Sequence, residues 1–195
     1  MSTLTIVQKD GFVAMAADQM TTLGPLKVPA HFKSNASKII RTGDSFIGIP
    51  GYVACIRTME SVVKTYSDRI DLTSCASIFE TFRALHTVLV DEYYSLTEEQ
   101  DEDQPYQSNQ LEMIIANETG IYRIDSYRDV GKYTRFWAVG SGSDCALGAM
   151  ETIYDNPDQS AQVIAERGVE VACMFDSGSG LPLESYTIRL MENGL

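Results

Sequence analysis

The spacing of apolar residues changes period four times along this 195-residue chain, and the alternation narrows the folds open to it. Thr3–Gln8 and Phe12–Asp18 are short β-prone runs on either side of a Lys9-Asp10-Gly11 turn, which predicts a hairpin starting almost at residue 1. Met20–Ser37 holds Gly24, Pro25 and Pro29 and reads as a loop with extended pieces. Strands are then expected at Lys38–Arg41 and Ser45–Ile49, the second stopping at Pro50-Gly51. The period next becomes helical. Val53, Ile56, Met59, Val62 and Val63 mark a helix over Tyr52–Ile70. Ile78, Phe79, Phe82, Leu85, Val88 and Leu89 mark another over Ala76–Leu96, capped near Leu72-Thr73-Ser74.

The acidic run Glu98–Asp103 predicts a solvated loop, after which the β pattern returns. Leu111–Ala116 and Ile121–Tyr127 flank an Asn117–Gly120 turn, and Phe136–Val139 leads into Gly140-Ser141-Gly142-Ser143. Helices are expected over Asp144–Tyr154 and Asp158–Val171, the latter capped by Asp158 or Ser160. A strand, Ser185–Met191, closes the chain. Strands, two helices, strands, two helices and a strand can bury every apolar face as two facing sheets, each covered outside by a helix pair. The length suits one domain over residues 1–195, with no linker or internal repeat.

Charge and composition exclude several functions. The net charge of -12 would repel a phosphate backbone, so nucleic acid is not an expected partner. No stretch approaches the ~20 apolar residues of a membrane helix, and the start, Met1-Ser2-Thr3-Leu4-Thr5, is unlike a secretory signal. Cys55, Cys75, Cys145 and Cys173 match neither a zinc site nor a redox pair, and are expected to be buried free thiols in a reducing cytoplasm. Only His31 and His86 are available for a metal or a Ser-His-Asp triad, and neither lies in a matching motif, so both are taken as structural and no metal or cofactor is expected.

The opening run from Ser2 to Asp18 (STLTIVQKDGFVAMAAD) resembles the start of a mature proteasome β-type subunit, nearer to the bacterial HslV-like and proteasome-homologue branches than to the eukaryotic ones. Ser37-Lys38-Ile39, Gly48-Ile49-Pro50-Gly51, Gly140-Ser141-Gly142-Ser143 and Asp176-x-x-Ser179-Gly180 follow in the family's order over nearly the whole chain. The resemblance implies an N-terminal nucleophile hydrolase: an α+β, four-layer αββα sandwich, a peptidase acting on peptides or unfolded proteins, and stacked homo-oligomeric rings with a possible ATPase partner.

In this family the nucleophilic hydroxyl belongs to the first residue, and that residue's own α-amine serves as base. An α-amine of pKa about 7.7–8.0 is partly neutral near physiological pH. The resemblance puts Ser2 at this position once Met1 is removed, where the family usually has threonine; Thr3 is the rival. Lys38 maps onto the lysine beside the nucleophile and Asp18 onto its partner, with Lys33 as the alternative lysine. Gly51 maps onto the glycine whose N–H faces the oxyanion, although Pro50 before it is unusual. Ser141, Asp176 and Ser179 map onto the polar group around the terminal amine, with Ser177-Gly178 as another register. Ile49 maps onto the wall of the pocket for the residue before the cleaved bond, implying an apolar preference. Two other readings stay open: a catalytically silent ring-forming homologue that keeps Met1, and an amidase acting on a small molecule.

Overall fold

The computed structural model describes residues 2–95 and 106–191. Met1, Leu96 and the acidic run Glu98–Asp103 lie outside the described residues. The chain runs through β1 (Thr3–Lys9), β2 (Phe12–Asp18), β3 (Thr21–Leu23), β4 (Leu26–Val28), β5 (Ile39–Thr42) and β6 (Ser45–Gly48). It continues through α1 (Val53–Thr65), α2 (Cys75–Asp91), β7 (Met113–Asn117), β8 (Gly120–Ile124), β9 (Val130–Tyr133) and β10 (Phe136–Gly140). It finishes with α3 (Ser143–Ile153), α4 (Ala161–Phe175) and β11 (Leu183–Arg189).

Two antiparallel sheets form the centre. One has the strand order β10-β1-β2-β11 and the other β5-β6-β7-β8-β9. Leu4, Ile6, Val13 and Met15 of the first sheet meet Ile114, Ala116 and Ile121 of the second in a closed apolar layer. Ile47, Met113, Ile115 and Tyr122 on the far side of the second sheet pack under Ile56 and Met59 of α1 and Ile78, Phe82 and Leu85 of α2. Val7, Ala14 and Ala16 on the far side of the first sheet pack under Met150 of α3 and Ile164, Val169 and Ala172 of α4. The result is an α+β, four-layer αββα sandwich, the fold expected from the order of elements. Each fully buried Leu, Ile, Phe or Met contributes about 1.5–3 kcal/mol, and three stacked apolar layers multiply that term.

Most differences from the sequence reading are at element ends. Helix α1 stops at Thr65, where Tyr66 N–H closes on Val62 O and a 3₁₀ turn, Ser67–Arg69, follows. Helix α2 begins as expected, with Ser74 Oγ accepting from Ser77 N, but ends at Asp91. Ser95 N–H folds back to Leu89 O through a left-handed Tyr94, a stop that carries no glycine or proline signal. Helix α4 runs to Phe175, and its cap is Ser160 rather than Asp158. Strand β9 was not expected: Val-Gly-Lys-Tyr is short and half-exposed, and is held as an edge strand by pairing with β8. The Met20–Ser37 segment contains a small hairpin, β3-β4, and a 3₁₀ turn at Ala30–Phe32.

Candidate active site

Side chains alternate across a strand, so the face to which each residue at the start of β1 points is fixed by its parity. Leu4 and Ile6 point between the sheets, whereas Val7 points toward the α3-α4 layer and Thr5 Oγ1 donates to Ala165 O in α4 at 2.9 Å. Thr3 shares the Thr5 face. Its hydroxyl is 2.6 Å from Ser179 Oγ, deep under α4, and Thr3 is fully buried. Ser2, just before β1 and 1% exposed, is one of the residues around a cleft beside the start of that strand. This cleft has a volume of about 660 Å³, and Ser2, Lys38, Gly51 and Ser141 all line it, whereas Thr3 does not.

Lys38 comes just before β5 and is 3% exposed. Its ammonium donates to Asp18 Oδ1 at 2.7 Å. Asp18 is completely buried, and its carboxylate collects three further donors: Thr3 N at 2.9 Å on Oδ1, and Met20 N at 3.2 Å and Gly180 N at 3.1 Å on Oδ2. A buried carboxylate is tolerated only when paired and hydrogen-bonded in this way. One side chain thus ties together the start of β1, the end of β2, the loop after α4 and Lys38. Burial lowers the pKa of Lys38 below the ordinary lysine value, and the attraction of Asp18, with smaller help from Cys173 and Glu184, offsets only part of that. Lys33, the alternative, instead donates to Thr21 Oγ1 at 3.1 Å and does not line the cleft.

A second polar group flanks Ser2. Asp176, at the end of α4, accepts from Ser141 Oγ at 2.8 Å and from Ser179 Oγ at 2.6 Å through the same oxygen, Oδ2. Burial opposes ionisation of Asp176, but these two hydroxyls and the Gly178 N–H outweigh it and hold the carboxyl below its usual range. Ser141 Oγ is also 3.4 Å from the Ser2 carbonyl oxygen. Ser177, from the other register, is exposed, while Ser179 is 1% exposed. The Asp176-Ser179 pairing is therefore the one the fold assembles.

Two glycines shape the cleft. Gly140 has φ 95°, and a Cβ there would collide with the Ser2 carbonyl oxygen, so only glycine lets β10 approach the first residues so closely. Gly51 has φ 94° and open space where a side chain would be, on the wall of the cleft.

Other expectations need correction. Ile49, just past the end of β6, is fully buried and packs among the residues under α1, including Ile56 and Met59, and it is not among the residues that line the cleft. Met20, Thr21, Val53 and Ile56 line the wall instead. The four cysteines are free but half-buried rather than buried, and Cys55 lies in the cleft wall with its thiol pKa raised by burial. His31 is exposed in the 3₁₀ turn, and His86 lies near Gln107 and Arg128; neither lines the cleft. Among the described residues no group of acidic, His and Cys side chains could hold a metal ion, and no helix is long and apolar enough to cross a membrane.

No protein-family model matches the chain. The chain is similar to a proteasome subunit beta of Nanoarchaeum equitans, 28% identical over 194 residues that cover 94% of this chain and 90% of that one. It is also similar to the ATP-dependent protease subunit HslV of Petrotoga mobilis, 22% identical over 195 residues covering 98% and 97%. Among solved structures, Thiobacillus denitrificans BPH in complex with epoxomicin superimposes with a TM-score of 0.90 at 37% identity, covering 97% of this chain and 100% of that one. The eukaryotic HslV of Trypanosoma brucei shares the fold, with a TM-score of 0.67 at 20% identity over 96% of this chain and 99% of its own. With the sandwich, the cleft at the head of β1 and these relatives together, the chain belongs to the proteasome β-type, HslV-like family of N-terminal nucleophile hydrolases.

Proposed function

We propose that the chain is one proteasome-like domain, residues 1–195, acting as a subunit of a ring-shaped peptidase whose nucleophile is the Ser2 hydroxyl, exposed at the N-terminus by removal of Met1. One observation carries the choice of Ser2: it lines the same cleft as Lys38, while the Thr3 hydroxyl is held against Ser179. In this reading the Ser2 α-amine takes the hydroxyl proton, directly or through a water, and Oγ attacks the peptide carbonyl carbon. The Lys38 ammonium, held by Asp18, favours the alkoxide that develops on Oγ. The Gly51 N–H stabilises the oxyanion. The amine then returns its proton to the departing amino group, and water hydrolyses the remaining ester to regenerate Ser2. Ser141, Asp176 and Ser179 orient the terminal amine. No cofactor enters the scheme.

The proteasome subunit beta and the ATP-dependent protease subunit HslV among the relatives support a reading in which this cleft takes a polypeptide. An unfolded protein or peptide is therefore the proposed substrate, in the cytoplasm, with an ATPase as a possible feeding partner, as the name of the HslV relative suggests. The test is an intact-mass measurement on natively produced protein, paired with hydrolysis of an unstructured peptide. The expected result is loss of one methionine and turnover. Turnover by protein that retains Met1 would refute the N-terminal mechanism. A protein lacking Met1 that turns over no peptide would establish the silent subunit, and one that turns over only small amides would establish the amidase.

The same proposal includes self-assembly into stacked rings. The apolar stripes of α1 and α2 are mostly buried against the second sheet, with Phe79 of α2 left exposed. Further exposed apolar side chains include Leu23, Leu26 and Phe32 and Met174, Phe175 and Leu181. Sedimentation at micromolar concentration is expected to show a species many times the 21.6 kDa of one chain. A monomer as the sole species would overturn the ring.

A further inference from the structure

Lys38 is the one cation that lines the cleft among the described residues, and it belongs to no strand or helix. It lies at the end of the segment between the 3₁₀ turn and β5, so something other than regular pairing must hold it. Its carbonyl is fixed from one side, accepting from Ile49 N at 3.1 Å. Its N–H is fixed from the other sheet. Glu184 sits on β11, the edge strand of the first sheet, opposite Ala17 and next to the strand end that carries Asp18. Glu184, Tyr186 and Ile188 share the face that looks toward the second sheet, where Ile188 joins the inter-sheet core and Tyr186 stacks on Phe46 at 4.5 Å. From there Glu184 Oε1 reaches across and accepts from Lys38 N at 2.9 Å and from Ser37 Oγ at 2.8 Å. Ser37 Oγ in turn accepts from Ile39 N at 3.2 Å, and Arg57 Nη2 donates to Ser37 O at 3.2 Å.

We propose that Glu184 is a positioning residue for Lys38: its carboxylate latches the edge of one sheet to the segment before the other and so sets where the Lys38 ammonium stands beside Ser2. It does not line the cleft, so it acts through Lys38 and not on the substrate. Two ends of Lys38 are thereby referred to the same pair of strands: the ammonium to Asp18 at the end of β2, and the backbone to Glu184 on the neighbouring β11. Near-attack geometry is unforgiving, and a displacement of about 1 Å can cost about a hundredfold in rate. Removal of the latch also leaves a part-buried N–H with no partner in place of the carboxylate, which favours a shift of the segment.

This inference rests on the role of Lys38 proposed above, and the experiment separates the two. Three variants, Glu184→Ala, Glu184→Gln and Lys38→Ala, are assayed for peptide hydrolysis with kcat and KM determined separately, alongside circular dichroism and sedimentation. Glu184→Ala is expected to lower kcat about ten- to a hundredfold with KM within about threefold of wild type. Glu184→Gln keeps an oxygen able to accept from Lys38 N–H and is expected to recover most of kcat. The charged and titratable groups facing the Lys38 ammonium are Asp18 on β2, Cys173 on α4 and Glu184 on β11. Loss of the Glu184 charge in Glu184→Gln is therefore expected to move the alkaline limb of kcat/KM to lower pH. If Glu184→Ala retains wild-type kcat while Lys38→Ala is inactive, the latch is wrong and the site stands. If Glu184→Gln is as poor as Glu184→Ala with an unmoved pH profile, positioning by this carboxylate is wrong. An active Lys38→Ala protein overturns the underlying reading and this inference together.

Discussion

Ser2→Ala is expected to abolish peptide hydrolysis, by at least about a thousandfold in kcat, while leaving the fold and the assembly unchanged. Removal of a nucleophile leaves only the residual catalysis of binding and oxyanion stabilisation. The substitution deletes one oxygen from a residue that lines the cleft, and Ser2 belongs to none of the apolar layers. Thr3→Ala is expected to act in the opposite way. Its hydroxyl is locked 2.6 Å from Ser179 Oγ, so its loss removes a buried hydrogen bond, at about 0.5–1.5 kcal/mol, and leaves Ser179 with Asp176 as its partner. A fall in Tm of a few degrees is expected for a chain of this size, with activity reduced less than about tenfold. Ser2→Thr is expected to stay active, because it keeps the hydroxyl and restricts its rotamer. Peptide turnover and thermal melts on the three variants check this. A dead Thr3→Ala beside an active Ser2→Ala would move the nucleophile by one residue.

Lys38→Ala is expected to remove activity with Ser2 and its amine intact, because no other cation lines the cleft among the described residues. The structure limits the stability cost. Asp18 loses one of four donors and keeps the Thr3, Met20 and Gly180 N–H groups, so the loss is expected near 1–3 kcal/mol, below the 3–5 typical when a buried charge is left alone. For the same reason Asp18→Asn added to Lys38→Ala is not expected to restore stability. Both carboxylate oxygens accept from backbone N–H groups, and an amide would turn its NH₂ against one of them. Lys38→Arg is not expected to rescue turnover, since a planar guanidinium cannot place a compact charge at the same point. Lys33→Ala, which loses only a bond to Thr21, is expected to be nearly normal.

Lys38 also predicts a pH dependence with two opposite readouts. Its folded-state pKa lies below that of a free lysine because burial disfavours the ammonium more than Asp18 restores it. Activity that needs the ammonium should therefore fall, on the alkaline side, earlier than free lysine titrates. The stability contribution runs the other way. Between the folded pKa and the unfolded value of about 10.4 the unfolded chain holds the extra proton, so this group's contribution rises with pH through that window and is lost as pH falls through the folded pKa. Activity and urea-unfolding profiles over the same alkaline range, wild type against Lys38→Ala, would show the two trends; identical stability slopes would exclude a depressed Lys38.

Apolar periodicity carried most of the order of elements and, through it, the four layers, but not the short strands β3, β4 and β9. Apolar spacing of 2 in Leu4, Ile6 and Val13, Met15, and near 3.6 in Ile78, Phe82, Leu85 and Leu89, leaves little choice about which faces must be covered. Family resemblance added the candidate residues in order, but order alone could not say which of the two hydroxyls is held by Ser179, which lysine reaches Asp18, or whether Ile49 sits in the core. Those answers needed the strands in register. Ser2 and Thr3 are chemically near-equivalent in the sequence, and only the folded chain sets them apart: the Thr3 hydroxyl meets Ser179, while Ser2 is among the residues that line the cleft. Lys33 and Lys38 are separated by where the segment before β5 is anchored, and that anchor, Glu184, lies 146 residues away from Lys38 along the chain. Ile49 follows the same rule, since its apolar side chain suits a pocket wall or a core equally well and only the packing under α1 decides between them. Short-range patterns encode periodicity, whereas hydrogen-bond partners brought together by the two sheets are fixed only when both have docked, because each bond depends on a distance that no local spacing contains.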